Sequence, residues 1–522
     1  MLARAGWRVV LLERETFPRE HIGESLLPAS LPVLEELGVL ETVRAEGFLD
    51  KFGATMVWGN GTEPWSWYFR ETNRQYPSAF QVWRPRFDQI LLDNTKANGV
   101  DVREGHRVLE VLWDGDRATG VRFADAGGAE HVLETRYVVD ASGQAGIIGR
   151  SRKLRQADAS FQNLAVYGYF EGAERLPSPD ETNILVESYT NGWFWNIPLH
   201  TGWMSVGAVV DHEVGQAGIR AAGAEQFLRD QIASTERSKH MLRNATLVSG
   251  PVVLRDWSYV STDVAGEGWV LAGDAACFID PLFSSGVHLA LSAGTLAAAL
   301  VNTGLRDAEL ARAAGPVYKQ LYYQQYGHFR EMAKLFYSSN VSTDSYFWEA
   351  RRLLGNRDDG LTPRQAFVRA VAGQPPRGYE RVVLERGNAP REFVDEVQAV
   401  ESERTQRNER FLAMLGDGSL EQSTPQLAGD SKLERAPVLG DLQFEWGYVV
   451  STPLRPEGVP LSDAAARLVS LIDGEMTVAQ IITELIAGLD RNAGGRLAQA
   501  AASVLQTLYV EGIIREFEVD DR

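Results

Sequence analysis

Five things are scarce or missing in this sequence, and each absence narrows the reading. There is one cysteine, Cys277, in 522 residues, so no disulfide can form within the chain. A core of that size needs none, and the composition suits an intracellular, multidomain protein. There is no run of Lys or Arg, and the formal net charge is −18. Such a balance repels nucleic acid and anionic membrane surfaces, so neither is expected as a partner, and a small molecule is. No stretch approaches the roughly 20 apolar residues of a membrane span. The most apolar helical window, about 287–301, is interrupted by His288, Ser292 and Gly294 and reads as a buried helix. No basic segment followed by an apolar core and a cleavage site is found near Met1, which makes the cytoplasm the expected location.

The fifth absence is a glycine-rich phosphate turn. Leu2-Ala-Arg-Ala-Gly6 reads as the last turn of a helix closed by a C-cap glycine, and Trp7 to Leu12 as an apolar strand ending in Glu13. This is the second half of a βαβ nucleotide-binding unit, in which a strand and a G-x-G-x-x-G turn come before the helix and an acid at the second strand's end holds the ribose. The acid is present and the glycines are not. The expectation is that the chain begins inside the first helix of that unit, with an apolar groove beside Val9 to Leu12 and a weak hold on a pyrophosphate.

The later segments come in the order such a fold demands. Tyr137-Val-Val-Asp-Ala-Ser-Gly143 is a short apolar strand running into a small-residue turn. Trp269-Val-Leu-Ala-Gly-Asp-Ala-Ala276 is a buried strand ending at Gly273-Asp274, and after Asp280-Pro281 the run Ser284-Ser-Gly286 opens a long Ala/Leu-rich helix. A helix start after such a turn offers free backbone N–H groups to an anion or to the edge of a polar ring. Between these segments, about residues 155–255 alternate polar and apolar in short stretches, such as Asn163 to Phe170 and Met204 to Val210, which predicts an antiparallel sheet.

Together with Glu13-Arg14, His21-Ile-Gly-Glu-Ser25 and Gln81-Val-Trp-Arg-Pro-Arg-Phe-Asp88, these segments resemble the FAD-contacting stations of flavin-dependent halogenases, within the FAD-dependent monooxygenase superfamily. The resemblance spans roughly residues 1–350 and is nearest to the branch acting on natural products tethered to carrier proteins or released from them. It implies an α/β fold: a glutathione-reductase-type, Rossmann-like FAD-binding domain lacking its first strand (1–154 and 256–305), with the sheet of 155–255 inserted on the substrate side and a helical region at 306–414. It implies cofactor contacts at Glu13, Arg14, Gly23, Glu24, Ser25, Arg84, Gly273, Asp274, Pro281 and Gly286, halide binding at Ser285 and Gly286, and no metal.

The family's diagnostic W-x-W-x-I-P stands intact as Trp193-Phe-Trp-Asn-Ile-Pro198. By pattern alone, two tryptophans at alternate positions are half of a sheet face packed into a core. The resemblance adds that Trp193 and Trp195 form a wall keeping the flavin from the organic substrate. Lys51, in Gly47-Phe-Leu-Asp-Lys-Phe-Gly53, aligns with the active-site lysine. A lone lysine beside Asp50 reads as a solvated surface residue. Its place before the aromatic strand Met56-Val-Trp58 favours the functional role, in which it holds hypohalous acid by hydrogen bonding or reacts with it to give a haloamine.

Aromatics from Tyr318 to Trp348, including Asp344-Ser-Tyr-Phe-Trp348, fit core packing better than a pocket lining. A polar, Gly-rich linker is expected at 415–435, followed by a separate domain at 436–522. There, a helix from Ser462, a Gly turn, a Thr-led helix, a third helix through Leu508 and a closing strand resemble PqqD-like winged-helix domains. The implied activity is halogenation of an electron-rich natural-product precursor, free or carrier-bound, by reduced FAD from a separate flavin reductase, with O₂ and chloride or bromide. A flavin monooxygenase, a geranylgeranyl-reductase-like oxidoreductase and an inactive fragment with a peptide-binding C-terminal domain are the alternatives.

Overall fold

The computed structural model describes residues 1–58, 63–337, 368, 371–372, 406–452, 455–487 and 491–518. These form two compact units. The first holds the described residues through 306 and those from 318 to 372; the second holds 307–317 and those from 406 onward. The Asp344 to Trp348 stretch lies outside the described residues.

In the first unit, the apolar segments on either side of the chain's first 270 residues form short parallel ladders. Val10–Glu13 pairs with Asp101–Glu104, and Val138–Asp140 pairs with Trp269–Leu271. They belong to separate sheets, and no strand among the described residues joins them. Asp140 is spent on local structure: its carboxylate accepts the N–H groups of Ser142 (3.0 Å) and Ile148 (2.8 Å), which holds the turn leading into the short helix Ile147–Ser151.

The dominant element is an eight-stranded mixed sheet. Its order is Cys277–Phe278, Thr246–Ser261, Arg155–Glu171, Trp203–Asp211, Gly192–Pro198, Ile184–Tyr189, Gly53–Val57 and Trp65–Tyr68. The expected antiparallel insert at 155–255 is thus too narrow. Two strands from the first part of the chain join it, Thr246–Ser261 runs past 255, and the pair Ile184–Tyr189/Gly53–Val57 is parallel. The reason lies in Gly53-Ala-Thr-Met-Val57, where all five residues are buried. A strand with no polar face needs cover on both faces, and an interior position in the sheet also pairs both its edges. Phe194, Val206, Ala208 and Val210 pack against Phe227, Leu228 and Met241 of the helices covering one face. Alternation then sends Trp193 and Trp195 to the opposite face.

Two long helices follow, Gly286–Arg306 and Ala308–Tyr337. The first has the length and apolarity of a membrane span but is mostly buried inside the protein, its alanine- and leucine-rich length serving as core. The tyrosines of the second behave as the packing reading predicts: Tyr318, Tyr322 and Tyr326 are buried, and the first two donate hydrogen bonds to the carbonyls of Leu271 (2.6 Å) and Gly273 (2.8 Å).

The second unit shows the expected helix order, Asp463–Ser470, Val478–Ile486 and Arg491–Val510, then the strand Ile514–Glu518. Thr477 and Gln480 close a capping box at the second helix, as a Thr-led start implies. The expected linker at 415–435 is, however, folded. Residues 406–417 are helical, Thr424–Leu427 pairs antiparallel with Ile514–Glu518, and Lys432–Leu439 opens a three-stranded sheet with Phe444–Thr452 and Arg455–Leu461. Composition hid this because the segment is polar on average, while Leu420, Leu427 and Leu433 point into one core with Phe411, Ile481 and Leu505. A boundary at 436 therefore cuts through this core. A fragment starting at residue 436 should show no cooperative unfolding transition where one starting at 406 does. In the full chain Phe411→Ala should cost the second unit about 3–5 kcal/mol. Urea melts followed by far-UV circular dichroism check both, and an intact transition in the shorter fragment would restore the linker.

Candidate active site

Three of the sequence stations meet at the start of the helix Gly286–Arg306. The strap Gly23-Glu-Ser-Leu26 runs along Ala79–Gln81 as an added strand, with Leu26 N–H donating to Phe80 (2.9 Å) and Val82 N–H donating to Glu24 (2.7 Å). A methyl group on Gly23, whose φ is +103°, would lie 2.8 Å from Arg84 Nη1 and 3.5 Å from Val287 Cγ2. One on Gly273, φ +60°, would lie 3.2 Å from Ala290 Cβ. Both glycines are therefore required by backbone conformation and by closeness. Before the helix, Asp280 caps the short turn Pro281–Phe283 by accepting Leu282 N–H (3.0 Å), and Ser284 takes a left-handed conformation, φ +56°.

The residues here fit the edge of a polar ring system and an anion. The amides of Ser285 and Gly286 have no protein acceptor among the described residues, the space where a Gly286 side chain would stand is open, and the buried Ser25 hydroxyl has no partner. A turn of this kind before a helix start gathers N–H groups into an anion-binding concavity. Asp274 is pushed up to about 6 by burial, against the pull of Arg84 and Arg155. Burial also raises Glu24, which is 1% exposed and accepts hydrogen bonds from Tyr169 Oη (3.0 Å) and Gly23 N–H (2.9 Å). Arg84 is committed to the protein: its guanidinium forks onto Asp88 (2.8 and 2.9 Å) and onto the carbonyl of Ile22. It acts as a clamp on the strap. Glu13 and Arg14 have their bonds elsewhere, Glu13 accepting from Glu15 and His106 and Arg14 pairing with Glu15 at the surface.

The tryptophans form a wall. Trp193 and Trp195 have ring centroids 6.0 Å apart, and Trp58 and Tyr167 extend the row at 6.3 and 6.0 Å. Trp195 lies flat over Gly207 across the ladder, where any side chain would strike its ring at 2.2 Å. Each indole N–H is satisfied, Trp195 by Ser205 Oγ (3.2 Å) and Trp193 by Tyr337 Oη (2.6 Å).

Lys51 is not a surface residue. It is 2% exposed, at the end of Leu49–Lys51, opposite Ala79. Its ammonium donates to Leu26 C=O at 3.0 Å and lies 5.5 Å from the centre of the Phe69 ring, with no carboxylate beside it among the described residues. Burial alone lowers its pKa to about 7. The strap thus links the lysine to the helix-start cluster: Leu26, whose carbonyl accepts the lysine's hydrogen bond, stands two residues after Glu24. No hydrogen bond or ring contact ties Lys51 directly to Trp193 or Trp195.

Sequence reading missed Tyr337, Asp280, Tyr169 and Ser205 as site residues. Asp280 stood inside a recognised segment. Tyr337 lies 144 residues from Trp193, and no spacing pattern relates them.

The Tryptophan halogenase family profile matches residues 70–402. The chain is 38% identical to a tryptophan 2-halogenase of Chondromyces crocatus over 407 residues, 73% of this chain and 76% of that protein. It is 29% identical to the pyrrole-2-carbonyl peptidyl-carrier-protein chlorinase of Pseudomonas fluorescens, over 72% of this chain and 90% of that one. Among solved structures, it is similar to the myxobacterial chondrochloren halogenase, with 42% identity and a TM-score of 0.62 over 72% of this chain and 86% of that chain. It is also similar to the flavin-dependent halogenase CmlS, with 25% identity and a TM-score of 0.69 over 98% and 92%.

The lysine's burial has a measurable sign. The unfolded chain holds this proton up to its ordinary 10.5, the folded chain only up to about 7, so unfolding takes up a proton between those values. Stability at this site therefore rises with pH from about 7 to 10.5, and the full cost is carried below 7. Lys51→Met should raise the melting temperature at about pH 6 and raise it less at about pH 9. The lost bond to Leu26 C=O is common to both and cancels. An equal shift at the two pH values, read by calorimetry, would mean that the lysine titrates normally.

Proposed function

The chain belongs to the Tryptophan halogenase family of flavin-dependent halogenases, and from that membership we propose which of its residues carry the reaction. Reduced FAD, supplied by a separate flavin reductase, provides with O₂ the oxidising equivalent that converts chloride or bromide to hypohalous acid. The protein's part is to bind, to separate and to aim. Gly23, Glu24, Ser25, Gly273, Asp274, Pro281 and Gly286 line the flavin, and the free amides of Ser285 and Gly286 hold the halide. The anion binds there because the helix start carries partial positive charge and its N–H groups lack other acceptors among the described residues.

Trp193 and Trp195 keep the organic substrate away from the flavin, and Lys51 receives the hypohalous acid on the other side. The buried Lys51, with no carboxylate partner among the described residues, carries this reading: burying such a lysine is expensive, and its lowered pKa makes about half of it free amine near pH 7. The free amine can react with hypohalous acid, nitrogen taking the halogen and hydroxide leaving as water with the amine's proton. The ammonium can instead only donate a hydrogen bond to it. The substrate is an electron-rich natural-product precursor. A carrier-tethered form is supported by the pyrrole-2-carbonyl relative. We read the second unit, by its helix order, as a PqqD-like module for docking a peptide or carrier; the similarity to CmlS over 98% of the chain supports a place for it beside halogenation.

Lys51→Ala should leave oxidation of reduced FAD within about twofold of the parent and abolish halogenated product, because the oxidant is no longer held where the substrate sits. Product mass spectrometry beside stopped-flow absorbance checks this, and full product formation would remove the lysine from the mechanism. Coupling of product to flavin oxidation should also rise as pH passes up through about 7 if the amine form reacts, and fall if the ammonium donates. A flat profile would speak against both roles.

A further inference from the structure

Trp193 and the turn that precedes the helix start are separated by nearly 90 residues, yet a short chain of buried hydrogen bonds joins them. The Trp193 indole N–H donates to Tyr337 Oη at 2.6 Å, and that hydroxyl donates to Asp280 Oδ2 at 2.6 Å. Asn163 Nδ2 donates to both, 3.1 Å to Asp280 Oδ2 and 3.0 Å to Tyr337 Oη. The other carboxylate oxygen, Oδ1, accepts Leu282 N–H and so shapes Pro281–Phe283 and the left-handed Ser284 immediately before Ser285 and Gly286. Trp193 and Asp280 are each 2% exposed, so neither end can exchange its partner for water. The Tyr337 ring is itself wedged between Trp58 and Phe161, at centroid distances of 6.2 and 5.4 Å.

We propose that Tyr337 and Asp280 are positioning residues for halogenation: a hydrogen-bonded tie from the first wall tryptophan to the turn presenting the Ser285 and Gly286 amides, which holds the wall and the anion site in one register. The inference rests on the reading of those amides as the halide site. Three features support a tie over ordinary packing. One hydroxyl serves as donor and acceptor in line between an indole and a carboxylate. A buried carboxylate divides its two oxygens between that hydroxyl and the backbone of the turn. Aromatic packing alone would need no match of donors to acceptors, whereas here each polar atom along the path finds a partner. The mechanical consequence is direct. If the indole moves, Tyr337 Oη loses a donor and its hold on Asp280 Oδ2 loosens, and the turn that Asp280 caps is free to relax away from the geometry that gathers its amides.

Tyr337→Phe in the full chain keeps the ring and removes the tie. Without added flavin, bromide binding followed by quenching of tryptophan fluorescence should weaken roughly 3- to 10-fold, as expected for one lost hydrogen bond of this kind. Exchange of the Trp193 indole proton, identified by its absence in Trp193→Phe, should quicken by a similar factor or more. With reduced FAD and bromide supplied, halogenated product per flavin oxidised should fall at least threefold while flavin oxidation itself stays near the parent rate. Asn163→Ala removes the two side bonds but spares the path from Trp193 through Tyr337 to Asp280, so it should retain most of the bromide affinity and coupling. It also serves if Tyr337→Phe folds poorly. Equal losses in the two variants, or parallel loss of flavin oxidation and product in Tyr337→Phe, would overturn the tie in favour of general packing. Bromide binding unaltered by Tyr337→Phe overturns this inference alone, whereas a parent chain that binds no bromide overturns it together with the halide site.

Discussion

The strand Gly192–Pro198 has neighbours on both edges and cover on both faces, and most of the site follows from that one constraint. Strand periodicity leaves no freedom: Phe194 and Asn196 must face the helices if Trp193 and Trp195 face the other way. A slip of one residue would bury the indoles under the helices and turn Phe194 toward the site. The ladder therefore sets the wall, and the wall sets its surroundings. Gly207 is small because Trp195 lies on it, and Ser205 and Tyr337 are polar because buried indole N–H groups need acceptors.

A second theme is the concentration of buried ionisable groups that make no salt bridge among the described residues. Lys51, Glu24, Asp274 and Asp280 all lie where burial disfavours their charged forms. The fold holds them through strands and turns that are over-determined by backbone pairing. The strap bearing Glu24 is bonded to the Ala79–Gln81 strand on one side and clamped by Arg84 on the other. Burial brings Lys51 to about 7 and Asp274 and Asp280 to about 6, where such groups can exchange protons near neutral pH. Arg84 illustrates how roles separate: it lies in a family station, yet its donors are used to hold the strap, so it supports the site from behind.

Local pattern was sufficient wherever the physics is local. The Trp193-Phe-Trp195 alternation, the Thr477 capping box, the small-residue turn at Gly273 and the helix opening at Gly286 are short-range features, and each appears where the sequence places it. The family, the flavin and the halogenating chemistry were legible from such motifs in order. The segment 415–435 was not, because its composition is polar while three leucines, spaced too irregularly for either helix or strand periodicity, decide its burial.

What the sequence alone determined, then, is the kind of chemistry and the residues bearing its motifs. Only the tertiary structure decided their electrostatic state and their partners. Local pattern alone reads Lys51 beside Asp50 as solvated and only the family resemblance favours an active-site role; the structure decides it, since the strand Leu49–Lys51 is paired so that the lysine turns inward to a backbone carbonyl. Tyr337 and Trp193 share no pattern, since contact between residues far apart in the chain arises from how sheets and helices pack and leaves no mark on the spacing of either segment. Burial, and with it the free energy of a charge, is a property of the assembled protein, and no window of sequence contains it.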